Sequence, residues 1–312
     1  MMWKVYSNIL ELKDEFDCLF LDIWGVLLVG DRLFENTKET MQELINLGKK
    51  IIIISNAPEL KENVEKMFRK NGILKGENFT DIVTSGDVLN NKLLKDERRL
   101  KNVYILGEKQ MNVSETVQHN VVDNLEEAEI VFIRSLKVYE NETEILNKYS
   151  DFLLDCGKRD RNGFKLYSST SIVPFVEILE KMRKKNLPIV TANPDVVTTK
   201  IDIDGNKSFV VAPGAACEYY NKLGGKTTVT GKPNKEIYDY AFNMVPTVDK
   251  DRIMMVGDTI ETDIKGGINV GIKTCLCLDD GVTSNRIKDE GLDEFFKKET
   301  YVPNFLVKRL QF

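Results

Sequence analysis

Short runs of β-branched and other apolar residues alternate along this chain with longer stretches whose apolar positions recur every three or four residues. That alternation predicts an α/β fold on a parallel sheet. Residues 18–22 end an apolar run on Asp22 and read as a buried strand. Residues 37–47 carry apolar positions at Met41, Leu44 and Ile45, with Asn36 placed as N-cap and Gly48 as the stop. Four consecutive isoleucines within 50–55 suit a strand buried on both faces, and 60–71, closed by Gly72, reads as a second helix. The far end repeats this grammar: strand 227–230, helix 234–244, strand 253–257, helix 262–269 and strand 274–278. Between the blocks lie strands at 103–106, 130–133 and 187–191 and a helix at 173–183. The simplest organisation is one sheet domain, 1–84 with 227–312, interrupted by an inserted domain over 85–226. Ser85-Gly86 and Gly224-Gly225 bracket that insertion and predict pivots for it.

Composition narrows the chemistry. The 312 residues hold 44 basic and 49 acidic side chains, a net charge of −5, which argues against gripping nucleic acid or an anionic membrane through bulk charge. Apolar runs such as 51–54 are too short to cross a bilayer. Residues 1–16 mix Lys4, Glu11, Lys13, Asp14 and Glu15 among apolar positions, so no signal-peptide core is expected. Cys18, Cys156, Cys217, Cys275 and Cys277 are odd in number and scattered, which points to a reducing cytoplasm rather than a disulfide framework. His119 is the only histidine and reads as a surface residue, leaving no Ser–His–Asp triad and no imidazole-based zinc site. Catalysis must therefore use carboxylates, lysine, hydroxyls or backbone groups. Gly224-Gly225-Lys226-Thr227 lacks the first glycine of a P-loop and leads into a strand. Asp202, Asp204 and Asn206 lack the glycine and final acid of a calcium loop, and Asp204-Gly205 reads as a hairpin turn.

Four segments at the ends of expected strands carry the candidate chemistry. Asp22 closes a buried apolar strand and needs a cation nearby, while Gly25 allows the sharp turn after it. Ser55-Asn56-Ala57 brings a hydroxyl and an amide out of the next strand. Thr230-Gly231-Lys232-Pro233 presents a lone lysine on a tight turn, and Asp258 and Asp263 straddle a strand end and a helix start. Any one of these could be structural. Acid, hydroxyl, lysine and acid pair in this order make a kit for phosphoryl transfer: nucleophile, phosphate ligand, charge neutraliser and metal site.

These motifs resemble the haloacid dehalogenase (HAD) superfamily, in particular its class IIA phosphatases, the nitrophenylphosphatase-like and sugar- and nucleotide-phosphatase-like group. Both ends of the chain match, as does the insertion between the second and third motifs. Thr191-Ala192-Asn193-Pro194-Asp195 and Pro213-Gly214 look like that class's cap signatures. The resemblance implies a Rossmann-like parallel-sheet core with an inserted α/β cap domain. It implies Asp22 as the nucleophile that forms an aspartyl-phosphate and Lys232 as the residue that neutralises charge. Ser55, Asn56 and Ala57 are implied to hold the phosphoryl oxygens. Asp22, Asp258 and the Trp24 backbone carbonyl are implied as Mg2+ ligands, with Asp263 completing the metal site; magnesium suits such a hard-oxygen set. Asn193, Asp195 and Glu218 are polar candidates for substrate binding in the cap, although Asn-Pro-Asp reads equally well as a turn. The implied partner is a small phosphorylated metabolite, with a homodimer through the cap as a further expectation.

One position departs from the family. Its phosphatases generally carry a second Asp two residues after the nucleophile as general acid, and here that position is Trp24. The leading expectation is a magnesium-dependent phosphomonoesterase, weak on alkyl phosphates. The alternative is a non-catalytic HAD-like phosphate- and metal-binding protein, and a third is displacement at a carbon–halogen or carbon–phosphorus bond.

Overall fold

The computed structural model describes residues 3–29, 32–94, 101–107, 120–159, 163–201, 207–279 and 281–312. The chain divides into two compact units, one of Met1–Ser55, Glu59–Ser85 and Gly231–Phe312, the other of Asn56–Pro58 and Gly86–Thr230. His119 and the Asp204-Gly205 turn lie outside the described residues.

The first unit is built on seven parallel strands in the order Val5–Tyr6, Phe305–Val307, Lys273–Cys277, Ile253–Gly257, Cys18–Leu21, Lys50–Ser55 and Asp81–Thr84. The Ile253–Gly257 and Cys18–Leu21 strands are buried along their whole length, and Lys50–Ser55 is buried from Ile51 onward. Both faces of these strands are covered, which is why they read as unbroken apolar runs. From Cys18–Leu21 the chain builds outward through Lys50–Ser55 to Asp81–Thr84, then returns to build the other half from Ile253–Gly257. Cys18–Leu21 and Ile253–Gly257 are therefore neighbours across the point where strand order reverses. Open α/β sheets bind ligands beyond the carboxyl ends of such a pair.

Helix Thr37–Asn46 forms where expected, but Asn36 does not cap it. Asn36 takes a left-handed φ of 60° and its Nδ2 donates instead to Phe312 O at 2.8 Å. The expected helix at 262–269 begins earlier and differently, with a π-helical turn Ile260–Ile264 followed by Lys265–Val270.

The second unit has its own five-stranded parallel sheet, ordered Thr227–Val229, Ile189–Thr191, Ile130–Ile133, Asn102–Leu106 and Asn120–Val122. Among the described residues its other strands are a three-stranded antiparallel sheet and the antiparallel pair Val197–Ile201 with Lys207–Val211. Two expectations change here. Residues 227–230, assigned to the sheet domain from sequence, belong to the insertion because Thr227–Val229 pairs in parallel with Ile189–Thr191. Gly224-Gly225 is likewise not a junction, since a Cβ on Gly225 would lie 2.1 Å from the Tyr220 ring; the chain passes between units at Gly231, with φ 108°. Among the described residues no helix is long and apolar enough to cross a membrane.

Candidate active site

Asp22 leaves the strand Cys18–Leu21 with its amide on Val256 O at 3.0 Å, so its carboxylate emerges at the reversal point of the sheet. Lys232 Nζ donates to Asp22 Oδ1 and, at 3.0 Å, to Ile54 O of the neighbouring strand. The same Nζ lies 2.8 Å from Asp263 Oδ1, an ion pair without hydrogen-bond direction. Lys232, Asp22 and Asp263 are all buried. Such charges persist only because each is met by another.

The segment 257–263 folds back on itself. Asp263 Oδ2 accepts the amides of Asp258 at 3.2 Å and Thr259 at 3.1 Å, so the π-helical turn uses its own acid to tie down the strand end. Asp258 is held in turn: Oδ1 accepts the Thr259 hydroxyl at 3.0 Å and Oδ2 accepts the Val282 amide at 2.6 Å. Glycines make the room. A Cβ on Gly25 (φ +81°) would lie 2.5 Å from Asp258 Oδ2, one on Gly281 2.4 Å from Asp258 Cβ, and one on Gly257 2.1 Å from Asp263 Cγ. Gly257, Thr259 and Gly281 carry no chemistry of their own and were not singled out from sequence.

Asp22, Asp258 and Asp263 offer carboxylate oxygens that all lie within 4.8 Å of one another. Burial pushes the Asp22 carboxyl well above the usual range; Lys232 opposes this, while Asp263 and Asp258 add to it. Asp258 is pushed up to about 7, first by burial and then by Asp263, against the Val282 amide, the Thr259 hydroxyl and Lys232. Burial also works against the Lys232 ammonium, but Asp22 and Asp263 outweigh it and its pKa is raised. Three carboxylates thus share one ammonium. The donor set is all hard oxygen with an excess of negative charge, which fits a small divalent cation.

The remaining predicted residues fall into two groups. Ser55 ends its strand fully buried, and Trp24 stands in the turn after Asp22 with 40% of its surface exposed. Asn56 and Ala57 group with the insertion, where Asn56 Nδ2 donates to Asp195 Oδ1 at 3.0 Å. Asn193 Oδ1 accepts the Asp195 amide at 3.0 Å, so this side chain shapes the turn. Glu218 is exposed on the helix Pro213–Lys222.

Two family models match the chain, haloacid dehalogenase-like hydrolase over residues 19–120 and HAD-hydrolase-like over residues 229–308. The chain belongs to the haloacid dehalogenase-like hydrolases. This hydrolase is 25% identical over 303 residues to phosphoglycolate phosphatase 2 of Arabidopsis thaliana, covering 91% of this chain and 90% of that one. A 44-residue stretch is 57% identical to the pyrimidine 5'-nucleotidase YjjG of Escherichia coli, 14% of this chain and 20% of that protein's length. The crystal structure of a haloacid dehalogenase-like hydrolase from Brucella suis 1330 has the same fold, with a TM-score of 0.73 and 24% identity over 98% of this chain and all of that one.

Proposed function

We propose that this hydrolase cleaves small phosphate monoesters through an aspartyl-phosphate on Asp22, with Mg2+ bound at the acidic cluster. The observation that carries the reading is the buried Asp22–Lys232 pair at the reversal point of the sheet, beside Asp258 and Asp263. An Asp22 oxygen attacks phosphorus as the bond to the leaving oxygen breaks, and water then cleaves the aspartyl-phosphate to restore the carboxylate. Lys232 neutralises charge on Asp22 and on the incoming phosphoryl group. Asp258 and Asp22 are the metal ligands in this reading, with the Trp24 carbonyl as a third. Asp263 fixes both Lys232 and the strand end that carries Asp258. Magnesium, when bound, supplies the positive charge that keeps the clustered carboxylates ionised and balances the phosphoryl oxygens. Ser55, Asn56 and Ala57 are assigned to the phosphoryl oxygens, and Asn193 with Asp195 to the substrate side of the insertion. Phosphatases among the full-length relatives support the reaction class.

The deciding experiment is a screen of phosphorylated metabolites and nitrophenyl phosphate, with magnesium or with excess chelator. Wild-type turnover should require magnesium, and Asp22→Asn, which keeps shape but removes the nucleophilic charge, should lower kcat by more than about 10³-fold. Magnesium-independent turnover would remove the metal assignment. A folded Asp22→Asn protein that retains activity would remove the covalent one. Binding of phosphate and magnesium with no turnover of any ester would favour the non-catalytic alternative, which Trp24 at the general-acid position keeps in play.

A further inference from the structure

The turn that follows Asp22 is tied down partly by itself and partly from the other end of the chain. Ile23 O accepts the amides of Leu27 at 2.8 Å and Leu28 at 3.0 Å, and Leu28 O accepts Gly25 N at 2.8 Å. Leu27 O accepts Phe34 N at 3.0 Å and the Thr37 hydroxyl at 3.3 Å. Val26 O is met by the Nε2 of Gln311 at 2.7 Å, and the same Nε2 donates to Thr37 Oγ1 at 2.8 Å. The residues flanking Gln311 are themselves pinned. Leu310 O accepts Ile9 N at 3.2 Å, and Phe312 O accepts Asn36 Nδ2 at 2.8 Å.

Gln311 is 2% exposed, and its Oε1 has no hydrogen-bond partner. A side chain serving packing alone would be apolar here, because a buried amide with an idle carbonyl is unfavourable. What the amide adds is its NH2 group, which joins the turn to the first residue of helix Thr37–Asn46. The same turn carries Gly25, where a Cβ would lie 2.5 Å from Asp258 Oδ2. A shift of the turn therefore moves Asp22 and Asp258 relative to each other.

We propose that Gln311 is a positioning residue: its Nε2, bridging Val26 O and Thr37 Oγ1, fixes residues 23–28 and through them the aim of Asp22. The consequence for turnover rests on the phosphatase reading, but the placement of the turn does not, and the test separates the two. Trp3 and Trp24 are the only tryptophans, so a Trp3→Phe background makes Trp24 the sole fluorescent reporter of the turn. In that background Gln311→Met and Thr37→Val each remove the bridge at similar volume, while Thr37→Ser keeps the hydroxyl. The first two should change acrylamide quenching of Trp24 and lower kcat on nitrophenyl phosphate by about ten- to a hundredfold with KM little changed. Thr37→Ser should match its parent, and the Gln311→Met/Thr37→Val double variant should be no worse than Thr37→Val alone, which already loses both the bridge and the hydroxyl's bond to Leu27 O. Parent-like quenching in the folded bridge-breaking variants would overturn the proposal. So would altered quenching with parent-like kcat, or an equal loss in Thr37→Ser. If the parent protein hydrolyses nothing, the phosphatase reading fails alone and the quenching series still decides whether Gln311 holds the turn.

Discussion

Trp24 stands two residues beyond Asp22, where an indole N–H offers no usable proton to a departing oxygen. Without a general acid, the rate depends on how well the leaving group bears negative charge. Aryl phosphates need little proton donation, whereas sugar and alkyl phosphates need much. Turnover should therefore fall steeply as leaving-group pKa rises, and Trp24→Asp should help alkyl esters more than aryl ones, by up to about 10²-fold. A leaving-group series on both proteins measures this; a flat series for the wild type would show that the proton comes from substrate or water. Asp22, Lys232, Asp258 and Asp263 were legible in the sequence for a physical reason. A charge ending an apolar strand, as Asp22 and Asp258 do, must be paired, and Lys232 and Asp263 stood in segments whose order with these two and Ser55 suggested one site. Gln311 and Gly281 were not, because what each does depends on a residue far off in the chain or on a close approach that leaves no local pattern.

Glycine packing around Asp258 gives the strand end its shape, and Gly281 tests that most cleanly. Its φ of −86° is open to any residue, so alanine there changes only the space, placing a methyl 2.4 Å from Asp258 Cβ and 2.7 Å from Oδ2. Gly281→Ala should destabilise the protein by about 1–3 kcal/mol through overpacking and weaken magnesium binding together with it. Thermal unfolding and a magnesium titration check the two, and a loss of stability with unchanged magnesium affinity would show that Asp258 keeps its place. At the scale of elements, the strands Lys50–Ser55, Ile130–Ile133 and Ile253–Gly257 stood where the apolar runs put them. Burial on both faces leaves little freedom in such runs. The two-residue edge strand Val5–Tyr6 and its three-residue neighbour Phe305–Val307 are too short to carry a period. The π-helical turn at Ile260–Ile264 escaped because an i→i+5 turn has no signature in a pattern of 3.6. Thr227–Val229 was assigned to the wrong domain because a strand's partner is not written in the strand.

Two units, each with its own apolar core, should unfold as separable transitions, and only one of them holds the acidic cluster. Magnesium and pH should then act on the unit of Met1–Ser55, Glu59–Ser85 and Gly231–Phe312 alone. The sign follows from Asp258, whose pKa is pushed up to about 7 in the folded chain, by burial above all, while an exposed Asp in the unfolded chain titrates near about 4. Between those values the folded state holds a proton that the unfolded state has lost, so metal-free stability falls as pH rises from about 4 to about 7 and then levels. Asp22, raised in the same direction, adds to the fall. Each pH step of one within the window removes up to about 1.4 kcal/mol per group, or about 3–6 °C for a domain of this size. In chelator, the transition of this unit should therefore lie several degrees lower at pH 8 than at pH 5.5. Magnesium binds the ionised carboxylates, so it should raise that transition far more at pH 8 than at pH 5.5 and nearly close the gap. Scanning calorimetry at both pH values, with and without magnesium, reads both transitions directly. Asp258→Asn should flatten much of the pH dependence in chelator. Equal stabilisation by magnesium at the two pH values, or an effect on the transition of the other unit, would place the metal somewhere other than Asp22, Asp258 and Asp263.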